Sequence, residues 1–273
     1  MIESARELPK MDWRKIEDDI IHFILKVVSE AKADGVVLGL SGGIDSSVVV
    51  ALCVKALGKE KVFGLFMPAA FTPVEDQDDA KIIAENLGIR AHSIPLGQIV
   101  DRFLEAVPSV ERNRVAVGNV FARMRMVTNY FVANSMNYLV SGTGDRSEIL
   151  IGYFTKYGDG GADFLPIGHL YKTQVRELAR HLGLPSRIVD KPASPQLWKG
   201  QSATDEIPVD YPVLDLILHS QFDLKVNVED MAKHLNIPLH VVEKVRTLFE
   251  GSRHKRATPL MLPIPTELLR RSS

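Results

Sequence analysis

The 273-residue chain holds one cysteine, Cys53. No disulfide can close within it, and neither a cysteine metal cage nor a dithiol redox pair can be assembled. An excess of charge of one sign is also missing: 33 Lys and Arg stand against 34 Asp and Glu, a formal net charge of −1. A general nucleic-acid binder carries a marked basic excess, so this balance speaks against one. "SRHKR" (252–256) is a local basic patch only. No uncharged apolar stretch reaches the roughly eighteen residues that span a bilayer. The first twenty residues are charged too densely for a secretory leader. These absences lead us to expect a soluble cytoplasmic protein with no nucleic-acid or membrane partner. What is present is ordinary for a globular domain: 45% hydrophobic and 25% charged residues, in a chain long enough to bury a sizeable core.

Periodicity gives the organisation. Trp13, Ile16, Ile20, Phe23, Ile24, Val27 and Val28 recur at three- and four-residue spacing, which predicts an amphipathic helix ending near Gly35. "VVLGL" (36–40) is short, β-branched and apolar, the pattern of a buried strand. "SSVVVALCVKALG" (46–58) follows too closely to be a second strand. It is apolar nearly all round, so we expect a buried helix with Gly58 past its end. Strands at 61–68, 90–96 and 138–143 alternate with helices at 73–88 and 113–137. Such alternation implies crossover connections and a mostly parallel sheet covered on both faces, a three-layer α/β/α architecture. The pattern weakens near residue 150, where "GDGG" marks a loop. A helix is expected at 170–183. A long polar loop at 191–210, of a kind that is usually functional or disordered, precedes helices near 209–219 and 228–250, the latter broken at Pro238. The expected organisation is one domain over 1–273. Its core sheet lies at about 36–150, with substrate loops and C-terminal helices at 151–273.

"GLSGGIDSS" (39–47) leaves the first strand and enters the following helix. Helix N-termini bind anions, because their first amides are unpaired and the dipole is positive there. Gly42 and Gly43 let backbone approach a phosphate, and Ser41, Ser46 and Ser47 add hydroxyl donors. A Walker loop would need Gly-Lys-Ser/Thr after four residues, and a dinucleotide fingerprint would need glycine at position 41; neither is present. A Gly-rich turn without a ligand is the weaker reading, given three hydroxyls and the carboxylate of Asp45.

"SGGIDS" resembles the pyrophosphate-binding loop of the ATP pyrophosphatase family. "GTGDRSEILIGYFTKYGDGGADFLPIGHLYKTQVRELA" (142–179), "NVFARMR" (119–125), "KPASPQLWKGQ" (191–201) and "HKR" (254–256) narrow the likeness to the NAD synthetase family. That resemblance implies a Rossmann-like, adenine nucleotide alpha-hydrolase-like fold. It implies amidation of deamido-NAD with ATP and ammonia, through an acyl-adenylate, releasing AMP and pyrophosphate. It implies a homodimer whose substrate site lies at the subunit interface. By the same resemblance ATP is held by Gly39, Leu40, Ser41, Gly42, Gly43, Ile44, Asp45 and Ser46, together with Thr143, Lys172 and Ser194. Many members have threonine where Ser194 stands. Lys172 supplies the positive charge that the loop lacks. Mg²⁺ is assigned to Asp45 and Glu148, and converging ends of parallel strands would bring these acids together. Deamido-NAD contacts fall on Arg123, Lys156, Asp163, His254 and Lys255. Asp45, Lys172 and Asp163 form the expected catalytic set, Asp163 helping ammonium lose its proton.

Plainer roles compete at each position. Helix-start acids commonly serve the dipole, a turn aspartate such as Asp163 commonly caps its own backbone, and "HKR" alone reads as a solvated basic tail. Arg123 and Arg125 stand two apart on a helix and cannot share a face; one can bind an anion while the other is structural. Cys53 and Met124, Met126 and Met136 read as packing residues, and His22, His92, His181 and His240 lack ligand spacing. The synthetase pattern runs almost from residue 11 to the tail, which leaves no room for an attached glutaminase, so ammonia is expected to arrive free or from another protein. Two other readings stay open: an adenylating enzyme acting on tRNA or a nucleotide, and a nucleotide-binding sensor without catalysis. The first is disfavoured by the lone cysteine and neutral charge, the second by the joint presence of Asp45, Glu148 and Lys172.

Overall fold

The computed structural model describes residues 6–107 and 113–262, apart from the side chain of Thr204. Its parallel sheet contains β1 (Gly35–Gly39), β2 (Val62–Phe66), β3 (Arg90–Ser93) and β4 (Tyr138–Val140), in the order β3-β2-β1-β4. Alternation along β1 distributes the core. Val36 and Leu38 face one side with α1 (Trp13–Glu30), α2 (Ile44–Leu57), α3 (Val74–Leu87), α7 (Lys172–His181) and α8 (Ser186–Val189). Val37 faces the other side, against residues of α4 (Gly97–Ala106) and α5 (Arg114–Met136). This is the three-layer arrangement expected from periodicity. A third cluster packs α6 (Arg146–Ile151), α9 (Tyr211–Phe222), α10 (Val228–Leu235) and α11 (Leu239–Gly251) together.

Several boundaries move for local reasons. α1 ends at Glu30 rather than near Gly35, because Lys32 turns left-handed at φ 53° and the Asp34 amide donates to the Asn137 carbonyl. The fourth strand stops at Val140; Ser141 makes only an isolated bridge to Phe164. The 170–183 helix shortens to Lys172–His181. α4 and α6 were not visible in the pattern. The break at Pro238 is present, with Asn236 left-handed between α10 and α11. α2 is buried nearly all round, Cys53 included, as its uniform apolarity requires.

Candidate active site

The phosphate loop is built by backbone geometry. The Leu40 amide donates to the Leu65 carbonyl and holds the end of β1 beside β2. Gly42 then turns left-handed at φ 77°, and a Cβ there would lie 2.0 Å from the Asp76 carbonyl oxygen. No residue but glycine fits this approach of the loop to α3. Gly43 caps α2 in extended conformation. The serines knit the loop together: Ser47 Oγ donates to the Gly43 carbonyl at 2.8 Å and Ser46 Oγ at 3.1 Å, while the Gly43 amide donates to Ser41 Oγ at 3.2 Å. Asp45 stands in the first turn of α2.

α6 brings the second group of charges. Asp145 caps it and accepts from the Glu148 amide at 2.8 Å, while Glu148 reaches back to the Asp145 amide, a reciprocal capping box. Lys172 opens α7. Its ammonium lies 2.8 Å from Asp45 Oδ2, 2.8 Å from Asp145 Oδ2 and 2.9 Å from Glu148 Oε1. Lys172 and Asp145 are wholly buried, whereas Asp45 and Glu148 keep 22% and 21% of their side chains exposed. The Tyr211 ring lies 5.3 Å from the ammonium. Burial pulls the Lys172 pKa down, but Asp145, Asp45 and Glu148 together drive it well above its ordinary value. Burial pushes Asp145 up to about 6 against the pull of Lys172. Burial, then the charge of Asp145, raises Glu148 well above the usual carboxylate range. Three carboxylates thus share one cation, and the cluster carries an excess of negative charge.

Asp215 of α9 holds this arrangement from behind. Fully buried, it accepts from Ser147 Oγ at 2.5 Å, from the Thr173 amide at 2.8 Å and from Thr173 Oγ1 at 2.7 Å. Ser147 Oγ in turn accepts the Lys172 amide at 3.0 Å. One carboxylate therefore fixes the starts of both α6 and α7.

A cavity of about 990 Å³ opens above the cluster. Asp45, Glu148, Thr143 and Ser194 line it, as do the loop residues from Gly39 to Ser46 other than Gly42. Lys172 lies behind the acids and does not line it. Lys191 ties the 191–201 segment across the loop: its ammonium donates to the Gly42 carbonyl at 3.1 Å and pairs with Asp76 and Asp79 at 2.6 Å each. Ser194 Oγ donates to the Gln201 carbonyl at 2.6 Å, so its hydroxyl shapes this same segment.

The residues expected to contact deamido-NAD divide. Lys255 lines the cavity, and its ammonium donates to the Gly152 and Phe154 carbonyls at 2.7 and 2.6 Å. Arg123, Lys156, Asp163 and His254 lie outside the lining. Arg123 donates to the Lys156 carbonyl at 3.4 Å, and the Lys156 ammonium donates to the His254 carbonyl at 2.6 Å. Asp163 accepts from Tyr130 Oη at 3.0 Å and from the Val140 amide at 2.7 Å, so both carboxylate oxygens are engaged at the edge of β4. "HKR" is no solvated tail: Arg256 donates to the Ile149 and Leu150 carbonyls and stacks on Phe249, closing the C-terminal end of α6.

Sequence reasoning overlooked Asp145, Lys191 and Asp215. The D-x-x-E spacing of a capping box was the available signal for Asp145. Asp76 and Asp79 of α3 are buried partners of Lys191. Nothing local marked Asp215.

The chain's likenesses point one way. The NAD synthase family model matches residues 16–259. An NH(3)-dependent NAD(+) synthetase of Staphylothermus marinus is 44% identical over 97% of this chain and 96% of its own. One from Hyperthermus butylicus is 49% identical over 94% and 93%. Among solved structures, an NMN synthetase from Francisella tularensis superposes with TM-score 0.83 at 32% identity, covering 93% of this chain and 100% of its own. An NH3-dependent NAD synthetase from Campylobacter jejuni reaches TM-score 0.79 at 32% identity, with the same coverage. With an intact phosphate loop, the paired acids and this span of likeness, the chain belongs to the NAD synthase family.

Proposed function

We propose that the protein catalyses ATP-dependent amidation of deamido-NAD by ammonia, forming NAD, AMP and pyrophosphate. The observation that carries this reading is the strand-loop-helix cradle with Asp45 and Glu148 gathered on Lys172 beneath one large cavity. The cradle amides and hydroxyls receive the β- and γ-phosphates as a departing unit. The acceptor carboxylate attacks the α-phosphate, and ammonia then displaces AMP from the acyl-adenylate.

The donor set fits Mg²⁺. Asp45 Oδ1 is buried without a hydrogen-bond partner, and the cluster has negative charge in excess of Lys172. Among the described residues no group of three or more His, Cys, Asp or Glu forms a protein metal cage. Mg²⁺ characteristically takes one or two carboxylates and completes its shell with phosphate oxygens and water. Asp45 and Glu148 would hold it, and it would offset the charge developing on pyrophosphate. Lys172 acts here by fixing both carboxylates and limiting their mutual repulsion.

Two further features belong to this reading. α4 and α5 share a face of the sheet and expose Ile99, Phe103, Val127 and Phe131, an apolar surface suited to a second copy of the chain. Arg123, Lys156 and Asp163, outside the cavity of one chain, would then meet substrate where the two copies join. Asp163, bonded to Tyr130 and the backbone, would orient rather than deprotonate. The test supplies purified protein with ATP, Mg²⁺, ammonium and either deamido-NAD or the corresponding mononucleotide acid, and measures amide product and AMP. NAD and AMP in equal amounts are expected. ADP as the nucleotide product, or turnover of the mononucleotide alone, overturns the reading.

A further inference from the structure

One face of α5 borders the cavity. Val115, Asn119, Ala122, Arg125, Met126 and Asn129 line it, at the three- and four-residue steps of a single helical face. Arg123 is off this stripe. The other cations of the lining are saturated: Lys191 by two carboxylates, Lys255 by two carbonyls, and Arg256 by carbonyls and Ser252 Oγ. Arg125 is different. Among the described residues its guanidinium makes one hydrogen bond, from Nε to the Met67 carbonyl at 3.4 Å. Burial pulls its pKa down, and the charge of Asp159 offsets this only in part. Asp159 Oδ1 itself accepts the Thr155 amide. Arginine stays protonated in proteins, so among the described residues this half-buried guanidinium has both Nη groups unpaired and only the nearby charge of Asp159, with no direct ion pair, to offset it.

An independent observation lies one turn further along. Asn129 Oδ1 is buried and has no hydrogen-bond partner. A Cβ on Gly39 would come 3.8 Å from Asn129 Nδ2 and 3.4 Å from Met67 Cε. The stripe therefore abuts the strand end from which the phosphate loop springs. We infer that Arg125 and Asn129 form a recognition pair. Its Nη groups fork an oxyanion of bound substrate, while Asn129 Oδ1 accepts a hydroxyl or amino hydrogen beside it. The inference rests on the ligase reading, under which two oxyanion sources enter the cavity: the phosphates of ATP, and the carboxylate and phosphates of the acceptor. The planar fork suits either and is not reproduced by lysine.

Calorimetric titration of ATP alone, and of deamido-NAD alone, into wild type, Arg125→Met, Arg125→Lys and Asn129→Leu tests the pair. Arg125→Met is expected to weaken one ligand by about tenfold or more, the scale of a charge-assisted bond. Arg125→Lys should recover part of that loss, and Asn129→Leu should weaken the same ligand. A fall in ATP affinity names ATP as the source, and a fall in deamido-NAD affinity names the acceptor. Affinities within about twofold of wild type for both ligands overturn the inference. If Arg125→Met does not fold, Arg125→Lys and Asn129→Leu decide by the same twofold limit. Wild-type protein that binds ATP but forms no NAD would sink the ligase reading and leave the ATP titrations of Arg125 interpretable.

Discussion

Lys172 shows how a residue's chemistry depends on what surrounds it. A lysine wholly out of solvent survives as a cation because three carboxylates meet its ammonium. Removing one partner rebalances the group. Asp145→Asn keeps the shape of the cap but removes a charge. If Asp45 and Glu148 hold Mg²⁺ as proposed, NAD formation should fall by about 10- to 100-fold, the usual effect of altering a residue that supports metal ligands. Steady-state rates with Mg²⁺ in excess measure it, and a rate equal to wild type would refute the role. Gly42→Ala demands a left-handed alanine whose Cβ meets the Asp76 carbonyl at 2.0 Å. It should displace the phosphate loop and raise KM for ATP, while a variant with unchanged KM would show that the loop tolerates the shift. That Asp45, Glu148 and Lys172 meet was legible because each stands in a motif with fixed neighbours, but the place of Lys172 behind the acids, away from the cavity, was not. Asp145 was not, because a capping aspartate looks the same whether or not a lysine from a later helix reaches it. Helical spacing alone could not rank Arg123 and Arg125, and the family resemblance pointed to Arg123; the facing of α5 against the sheet puts Arg125 on the cavity of this chain and Arg123 outside it.

At the scale of elements, the site depends on short helices that could not stand alone. α6 has 6 residues, far below the length at which a helix is stable in water. It persists because Asp145 closes one end, Arg256 closes the other, and Asp215 anchors Ser147 between them. Asp215→Ala would strand the Thr173 amide and two hydroxyls. A loss of about 1–3 kcal/mol per unsatisfied buried group is expected, read from urea unfolding, with Asp215→Asn milder because it retains one acceptor. Unchanged unfolding midpoints for both would contradict this. Periodicity could not reveal α6, because six residues are too few to display a period, and only the D-x-x-E spacing at Asp145 marked its start. The long helices α1, α2, α3 and α5 were legible because their apolar spacing repeats over several turns. Their ends drifted where backbone contacts with distant segments, such as Asp34 to Asn137, took over from local pattern.

At the scale of the whole molecule, charge ties separate layers together. Glu17 of α1 bonds Lys55 of α2 at 2.5 Å and His181 of α7 at 2.9 Å. Burial opposes its ionisation, but Lys55 and His181 outweigh this and hold its pKa below the usual value. A depressed carboxylate pKa stabilises the fold above the unfolded-state value and loses that stabilisation as pH falls through the folded value. Glu17→Gln should therefore unfold at lower temperature than wild type near neutrality and converge with it in acid; a gap that widens toward acid would reverse the assignment. The exposed faces of α4 and α5 make a second expectation. Light scattering should find wild type dimeric and Phe131→Glu monomeric, whereas a monomeric wild type would remove the interface from the proposal. The α/β layering was readable from strand-helix alternation alone, and the meeting of Asp45 with Glu148 from converging strand ends, while the buried supports Asp145 and Asp215 and the Arg256 closure of α6 were not, because no local pattern encodes which distant segments meet. That closure has a consequence for biosynthesis. The phosphate loop draws on β1, α2, β2 and α3, all within the first third of the chain, whereas the C-terminal end of α6, capped by left-handed Gly152, also receives Arg256 from near the end of the described chain. A nascent chain halted at residue 250 would carry the cradle and the acids but lack the Arg256 contacts at the C-terminal end of α6, so the last support of this helix is added late in synthesis.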